Sequence, residues 1–159
     1  MKTESGPQLS ASLEDYLEAI FNLAGESEGA RSKDIAEALS VARSSVTGAL
    51  QALREKGLAN YRPYGCITLT ESGRTLAAEV VRKHNILKSF FVNVLGVDPD
   101  VAQQAACKAE HALGPEIIGR LLSFIKYVTE SHRTGRDVAE EFRQFHKKRS
   151  GSTTRKAKP

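Results

Sequence analysis

Apolar residues recur at intervals of three and four through most of the chain, which predicts a mainly α-helical protein. Residues 13–24 place leucine, tyrosine, isoleucine and phenylalanine on one side of a helix, with acidic and amide side chains off that side. The same pattern predicts two short helices at 33–39 and 43–56. Four later helices are predicted to end near residues 95, 113, 129 and 146. We therefore expect amphipathic helices packed around apolar cores.

The two short helices and the residues after them have the pattern of a winged helix-turn-helix. Ser32 is predicted to cap the first helix, and only Ser40-Val41-Ala42 separates it from the second. Gly57 is predicted to end the second helix in a left-handed conformation. Two short β-type runs follow, at 58–61 and 66–69, around an Arg-Pro-Tyr-Gly turn. A hairpin in this position is a wing, so the segment predicts a DNA-binding domain.

Only part of the chain has the positive charge that favours a contact with DNA. The net charge is +4, but residues 143–159 hold seven Lys/Arg and no acid, which leaves −3 for residues 1–142. Residues 31–68 nevertheless have a net charge of +3. Small polar side chains at the start of the second helix suit phosphate and base-edge contacts in the major groove. The predicted DNA-binding residues are Lys33, Arg43, Ser44, Ser45, Thr47, Gln51, Arg54, Arg62 and Tyr64.

A winged helix can also serve protein contacts, but motif, wing and local charge together favour DNA. The basic tail at 147–159 is predicted to be disordered. We interpret it as a solvated terminus rather than an added source of phosphate attraction.

A second candidate site is the run Cys107-Lys108-Ala109-Glu110-His111. On a helix, positions 107, 110 and 111 stack a thiol, a carboxylate and an imidazole on one face. All three groups coordinate divalent metals. The alternative is an ordinary core cysteine beside a solvated Glu-His pair, and spacing alone leaves both open.

The N-terminal sequence, the apolar runs and the cysteine count indicate the cellular compartment. The N-terminus has no apolar segment typical of a secretory signal, and no apolar run has the length of a membrane span. Two cysteines, Cys66 and Cys107, are too few for a disulfide framework, so a reduced, cytoplasmic protein is expected. The helix predicted at 116–129 is apolar at too many positions for one buried side, which suggests a subunit interface.

Several short motifs occur in an order that resembles the DtxR/MntR family of metal-dependent transcriptional repressors. The residues that carry the resemblance are Leu13 to Glu18, Ile35 to Leu39, Ser44 to Thr47, Leu69 to Gly73, Arg82 to His84 and Cys107 to His111. The resemblance implies a mainly α fold, with a winged helix-turn-helix DNA-binding domain at 12–72 and an all-helical metal-binding and dimerisation domain at 73–146. A flexible N-terminus at 1–11 and the basic tail flank them, and no SH3-like third domain is expected.

The resemblance also implies a ligand set. The family's metal-ligand positions correspond here to Asp15, Glu18, His84, Cys107, Glu110 and His111. Asp15 and Glu18 are typical of manganese-responsive members, whereas Cys107 is typical of iron-responsive ones. Lys88 and Gln103 replace ligands of the iron branch's ancillary site, so that second site is expected to be absent or altered.

The expected metal is Fe²⁺ or Mn²⁺. Oxygen ligands suit Mn²⁺, whereas a thiolate favours Fe²⁺ and can also accept Co²⁺ or Zn²⁺, with Ni²⁺ another substitute in vitro. On this chemistry iron(II) is slightly favoured. The implied function is that of a homodimer that binds a palindromic operator when metal is present and silences metal-uptake genes.

Two other function classes make different demands on the sequence. A thiol-based redox repressor would need an exposed, acidic thiol and usually a resolving cysteine. A small metallo-hydrolase would need an open coordination position and a general base in a cleft. The residues favour neither, so we expect a regulator and not an enzyme.

Overall fold

A computed structural model describes residues 9–24, 29–62, 65–133 and 135–153, and within them the mainly α-helical prediction is confirmed. The helices are α1 Ala11–Ala24, α2 Ser32–Leu39, α3 Arg43–Glu55, α4 Glu71–Ser89, α5 Pro99–Glu110, α6 Pro115–Arg133 and α7 Val138–Thr153. The strands are β1 Ala59–Asn60 and β2 Thr68–Leu69. The chain forms two compact units that divide after Val81, inside α4. None of the described helices has both the length and the apolarity of a membrane span.

The first unit is held together by one apolar core. Leu17 and Ile20 of α1, Ile35 of α2 and Leu50 of α3 are completely buried in it. All four belong to the apolar stripes that the helical spacing predicted. Full burial of such a side chain stabilises a fold by about 1.5–3 kcal/mol, so this core fixes the positions of the three helices.

The turn between α2 and α3 depends on a residue in the left-handed region. Ser40 has φ 54°, and its N–H donates to the carbonyl of Glu37. Gly57 ends α3 with φ 69°, as predicted. The prediction that Ser32 caps α2 is wrong. Ser32 is the first helical residue, and Arg31 precedes it in an extended conformation without a side-chain cap.

The wing is a short antiparallel hairpin. Ala59 pairs with Leu69 and Asn60 with Thr68, so the strands are shorter than predicted. A bridge between Ala30 and Ile67 adds a third segment beside them. Of the predicted turn, residues 63 and 64 lie outside the described part of the chain.

A tight contact joins the wing to the start of α4. The Thr70 hydroxyl accepts from the Gly73 N–H at 3.1 Å and donates to the Gly57 carbonyl at 2.7 Å. A Cβ atom at Gly73 would lie 1.8 Å from the carbonyl oxygen of Leu58. Only glycine therefore allows this approach.

The second unit packs its helices around smaller apolar clusters. One contains Ile86, Leu87, Ala106 and Ile118. The other contains Val94, Val128 and Ala139, from the π-helical turn that follows α4, from α6 and from α7. The predicted single helix to about residue 95 is thus interrupted, since its last turn, Phe90–Val94, is π-helical.

Two further predictions differ from the structure. The predicted disordered tail begins too early in the sequence, because α7 continues to Thr153. Lys147, Lys148 and Arg149 are good helix formers and extend a helix that already packs at its start; residues 154–159 lie outside the described chain. Cys66, the first residue of the strand predicted at 66–69, is exposed and lies outside the sheet, because β2 begins only at Thr68.

Candidate functional site

The second unit contains a buried cluster of polar side chains. His84 on α4 and Glu110 on α5 have side chains that are 7% and 0% exposed, and Nδ1 of His84 lies 2.7 Å from Oε2 of Glu110. His111, the C-cap residue that follows α5, places its Nε2 3.4 Å from the other carboxylate oxygen. One buried carboxylate thus lies between two imidazoles.

Cys107 belongs to the same cluster. It lies one turn before Glu110 on α5, and its half-buried thiol sulfur is within 4.8 Å of a Glu110 carboxylate oxygen. The second unit therefore brings together four of the six predicted ligands. Helical spacing explains the α5 members, and packing of α4 against α5 adds His84.

These donors fit a divalent transition metal. A completely buried carboxylate is costly unless it is paired or bound to a cation. Nε2 of His84 is also buried, and among the described residues it has no hydrogen-bond partner. Imidazole nitrogen, carboxylate oxygen and thiolate sulfur together suit Fe²⁺, Co²⁺ or Zn²⁺, and the nitrogen and oxygen donors suit Mn²⁺.

The two remaining predicted ligands belong to the first unit. Asp15 and Glu18 lie on α1, are half-buried, and are three residues apart, which puts them on one side of that helix. The neighbouring side chains of Leu17 and Ile20 fix α1 in the core.

The first unit also presents the predicted DNA-reading surface. Helix α3 buries Val46, Leu50 and Leu53, and this turns its polar side chains outward. The exposed set comprises Lys33, Arg43, Ser44, Ser45, Thr47, Gln51, Arg54 and Arg62. Tyr64, the ninth predicted contact, lies outside the described residues.

Three of these side chains already contact a residue of their own helix. The Thr47 hydroxyl donates to the carbonyl of Arg43 at 3.2 Å, and Gln51 donates to Glu55 at 3.3 Å. Lys33 forms an exposed pair with Glu37 at 3.7 Å. These weak, solvated contacts can be exchanged for contacts to DNA at low cost.

Sequence reasoning missed residues that line the concave surface beside α3. A cavity of about 610 Å³ is lined by Arg31, Ser32, Lys33, Arg43, Thr47, Tyr61, Gly65 and Cys66. No acidic side chain is among them. Arg31 lies within the basic segment 31–68 but is absent from the predicted contacts, and its position just before α2 is the signal that would have identified it. A second cavity of about 580 Å³ brings Arg54 and Arg62 together.

The thiol-based alternative gains no support from the cysteines. Cys66 is an exposed residue of the first unit, and Cys107 is half-buried in the second.

Comparison with known proteins gives one consistent family. Residues 8–67 match the domain described as the iron dependent repressor N-terminal DNA binding domain. Residues 70–141 match the iron dependent repressor metal binding and dimerisation domain. The two matches together include most of the chain.

Individual relatives agree. The chain is 40% identical over 119 residues to an HTH-type transcriptional regulator of Methanocaldococcus jannaschii, covering 74% of this chain and 95% of that one. It is 36% identical over 120 residues to the HTH-type transcriptional regulator MntR of Lysinibacillus sphaericus, covering 76% and 86%. A solved manganese-dependent transcriptional repressor in complex with manganese is 31% identical, with a TM-score of 0.67. That match covers 72% of this chain and only 53% of the solved one, so this chain spans about half its length.

Proposed function

The chain belongs to the family of iron-dependent repressors, which are metal-dependent transcriptional regulators and not enzymes, and from that premise we propose how its own residues perform the task. We propose a homodimer that binds a palindromic DNA operator when a divalent metal, Fe²⁺ or Mn²⁺, is bound, and so represses metal-uptake genes in the cytoplasm. The buried contact between His84 and Glu110, with Cys107 and His111 beside it, is the observation that carries the proposal.

The proposed ligands are Asp15, Glu18, His84, Cys107, Glu110 and His111. Burial of Glu110 beside two imidazoles supports the second-unit members, because such a carboxylate is stabilised by a cation. The half-buried carboxylates of α1 support the other two, since they match the manganese-type positions of the family resemblance. A cation supplies positive charge that offsets several carboxylates at once.

We favour iron(II) as the physiological metal, with manganese(II) as the alternative. The Cys107 thiolate favours iron, whereas Asp15 and Glu18 provide the oxygen donors that manganese prefers. The similar proteins are also divided between iron and manganese. The matched domains are described as iron dependent, whereas a solved structure similar to this chain is a manganese complex.

The mechanism follows from where the ligands lie in the sequence. Asp15 and Glu18 are on a helix that packs against α2 and α3, so their position affects the DNA-reading helix. Without metal the clustered carboxylates repel one another. Metal binding removes this repulsion and favours the arrangement in which two recognition helices match successive major grooves, about 34 Å apart. Coupling of this kind is typically about 1–3 kcal/mol.

A DNA mobility-shift titration tests the function directly. Anaerobically purified protein is titrated onto DNA fragments selected for binding, with Fe²⁺, with Mn²⁺ and with EDTA. We expect the affinity to fall by about 5- to 150-fold on chelation. An affinity that EDTA leaves unchanged would disprove the metal switch.

Cys107→Glu tests the choice of metal. A carboxylate in place of the thiolate should shift the ratio of responses toward Mn²⁺, because it removes the soft ligand. Cys66→Ser is the matched control, since it removes a thiol from the other unit. Equal Fe²⁺ and Mn²⁺ responses in wild type and Cys107→Glu would exclude Cys107 as a selectivity residue.

A further inference from the structure

Helix α7 has an aromatic face that the described residues leave exposed. Phe142 and Phe145 are 39% and 58% exposed, although Ala139 on the same helix is buried against α6 and the π-helical turn. Phe142 stacks on His146, and the Arg149 guanidinium lies 5.7 Å from the centre of the Phe145 ring. At 100° per residue, Val138, Phe142, Phe145 and Arg149 fall on one side of α7.

The charges on α7 change sign along its length. Glu140 and Glu141 lie in the first turn, whereas Lys147, Lys148 and Arg149 follow the aromatic pair. The point midway between the acidic and basic groups lies between Phe142 and Phe145. Two such helices placed antiparallel would set the acidic end of each beside the basic end of the other.

We propose that α7 pairs antiparallel with α7 of a second copy of this chain, about a two-fold axis between Phe142 and Phe145. Each Phe142 packs on Phe145 of the second copy. A two-fold interface uses the same patch on both chains, so that patch must be complementary to itself. The aromatic pair and the opposite charges at the two ends of α7 meet this requirement. The inference rests on the proposed homodimer and adds a specific contact to it.

Continuity with the family's dimerisation region supports a second copy as the occupant. The matched metal binding and dimerisation domain ends at residue 141, inside α7. The aromatic pair begins at the next residue of the same helix. Helix α6, which packs on α7 and lies within the matched domain, also exposes apolar side chains at Ile117, Phe124 and Tyr127.

The pairing also predicts a charge contact. Glu141 and Lys148 are seven residues, or about two turns, apart and therefore lie on the same flank of α7. A two-fold axis brings that flank of both copies together. Opposite Glu141 lies His146 of the second copy, and Lys148 is two residues farther, about 3 Å along the axis. Both side chains are exposed, and although Glu141 already pairs with Arg136 at 3.1 Å, that solvated carboxylate can accept a second cation.

Sedimentation of the full-length, metal-loaded chain over a concentration series tests the aromatic contact. Phe142→Ala and Phe145→Ala should each raise the dimer dissociation constant by about 10- to 100-fold, because both rings are central anchors. Gln144→Ala, on the opposite side of α7, is the matched control and should leave the constant unchanged. Circular dichroism confirms that each variant is folded. Unchanged dimerisation in both phenylalanine variants would overturn the pairing.

A charge exchange provides a second, independent test that leaves the aromatic pair intact. Lys148→Glu should weaken the dimer by about threefold, because it places like charges together. Adding Glu141→Lys should restore the wild-type constant within about twofold. A double variant weaker than the single variant would overturn the antiparallel register. A wild-type chain that is monomeric at every concentration would instead refute the homodimer of the proposed function.

Discussion

The two units of this protein differ in what their cores are made of. In the first unit the largest fully buried side chains are all aliphatic, among them Leu17, Ile35 and Ile67. In the second unit the largest fully buried side chains are Leu87 and a carboxylate, Glu110. The buried charged and imidazole side chains of the described chain, Glu110 and His84, both belong to the second unit.

Because of this difference, we expect the stability of the two units to depend differently on metal. An apolar core needs no ligand, so we expect the DNA-reading unit to keep its fold whether or not metal is present. A core that contains a carboxylate and imidazoles gains stability when a cation binds. The contrast predicts that substitutions in the first unit act on folding or DNA contacts, and that those in the second act on the response to metal.

The largest effect is expected from Gly73→Ala in the first unit. The new methyl group would meet the Leu58 carbonyl at 1.8 Å, so the wing or the start of α4 must move. We expect a loss of about 3 kcal/mol or more in the free energy of unfolding, measured with urea and circular dichroism.

Gly48→Ala is the matched control for this clash. A Cβ atom at this helical glycine of α3 meets nothing within 4 Å. Alanine should therefore stabilise the protein by about 0.5–1 kcal/mol. Equal destabilisation by both variants would show that the close approach at Gly73 is unimportant.

The next effect should appear in the second unit on metal addition. At a free metal concentration of about 100 times the dissociation constant, the wild type should gain about 2.7 kcal/mol. Glu110→Gln should abolish most of that gain, because it removes the buried charge between His84 and His111. Glu116→Gln, an exposed surface carboxylate on α6, is the control and should retain it. A full metal response in Glu110→Gln would refute its role as a ligand.

A smaller effect is expected on DNA affinity, and only substitutions in the first unit should cause it. Arg43→Ala and Arg31→Ala should each weaken DNA binding about tenfold and reduce the salt dependence by about one counterion, through loss of a phosphate contact. Arg120→Ala in the second unit removes an exposed guanidinium that pairs with Glu116 and should change neither quantity. Fluorescence anisotropy at several salt concentrations measures both. If Arg120→Ala has the same effect, the basic surface of the first unit is not the DNA site.

The smallest effect concerns a surface pair of the second unit. Hydrogen bonding to Arg136 holds the pKa of Glu141 below its ordinary value of 4.5. The contribution of this pair to stability is therefore present above the ordinary pKa and is lost as the pH falls through the lowered one. Arg136→Met should return the pKa of Glu141 toward 4.5 in a carboxyl NMR titration. Arg143→Met should instead raise the pKa of Glu140, whose main partner is Arg143.

Much of the fold could be predicted because helical periodicity and turn residues act locally. The stripes of α1, α2 and α3 and the glycine after α3 identified the helix-turn-helix. Element ends were less accurate, since packing and capping decide them: Ser32 is helical, and α7 continues to Thr153. The exposure of Cys66 and the place of Arg31 beside the recognition helix depended on where the wing lies.

The sequence by itself determined the order of the helices, the winged DNA reader and the candidate donors on α5, because each follows from spacing within a few turns. Tertiary structure alone decided that His84 lies 2.7 Å from a carboxylate 26 residues away and that both are withdrawn from water. That contact requires α4 to pack against α5 in one register, which no local pattern specifies. The polar cluster of the second unit is therefore a product of packing, and its chemistry depends on the burial that packing imposes.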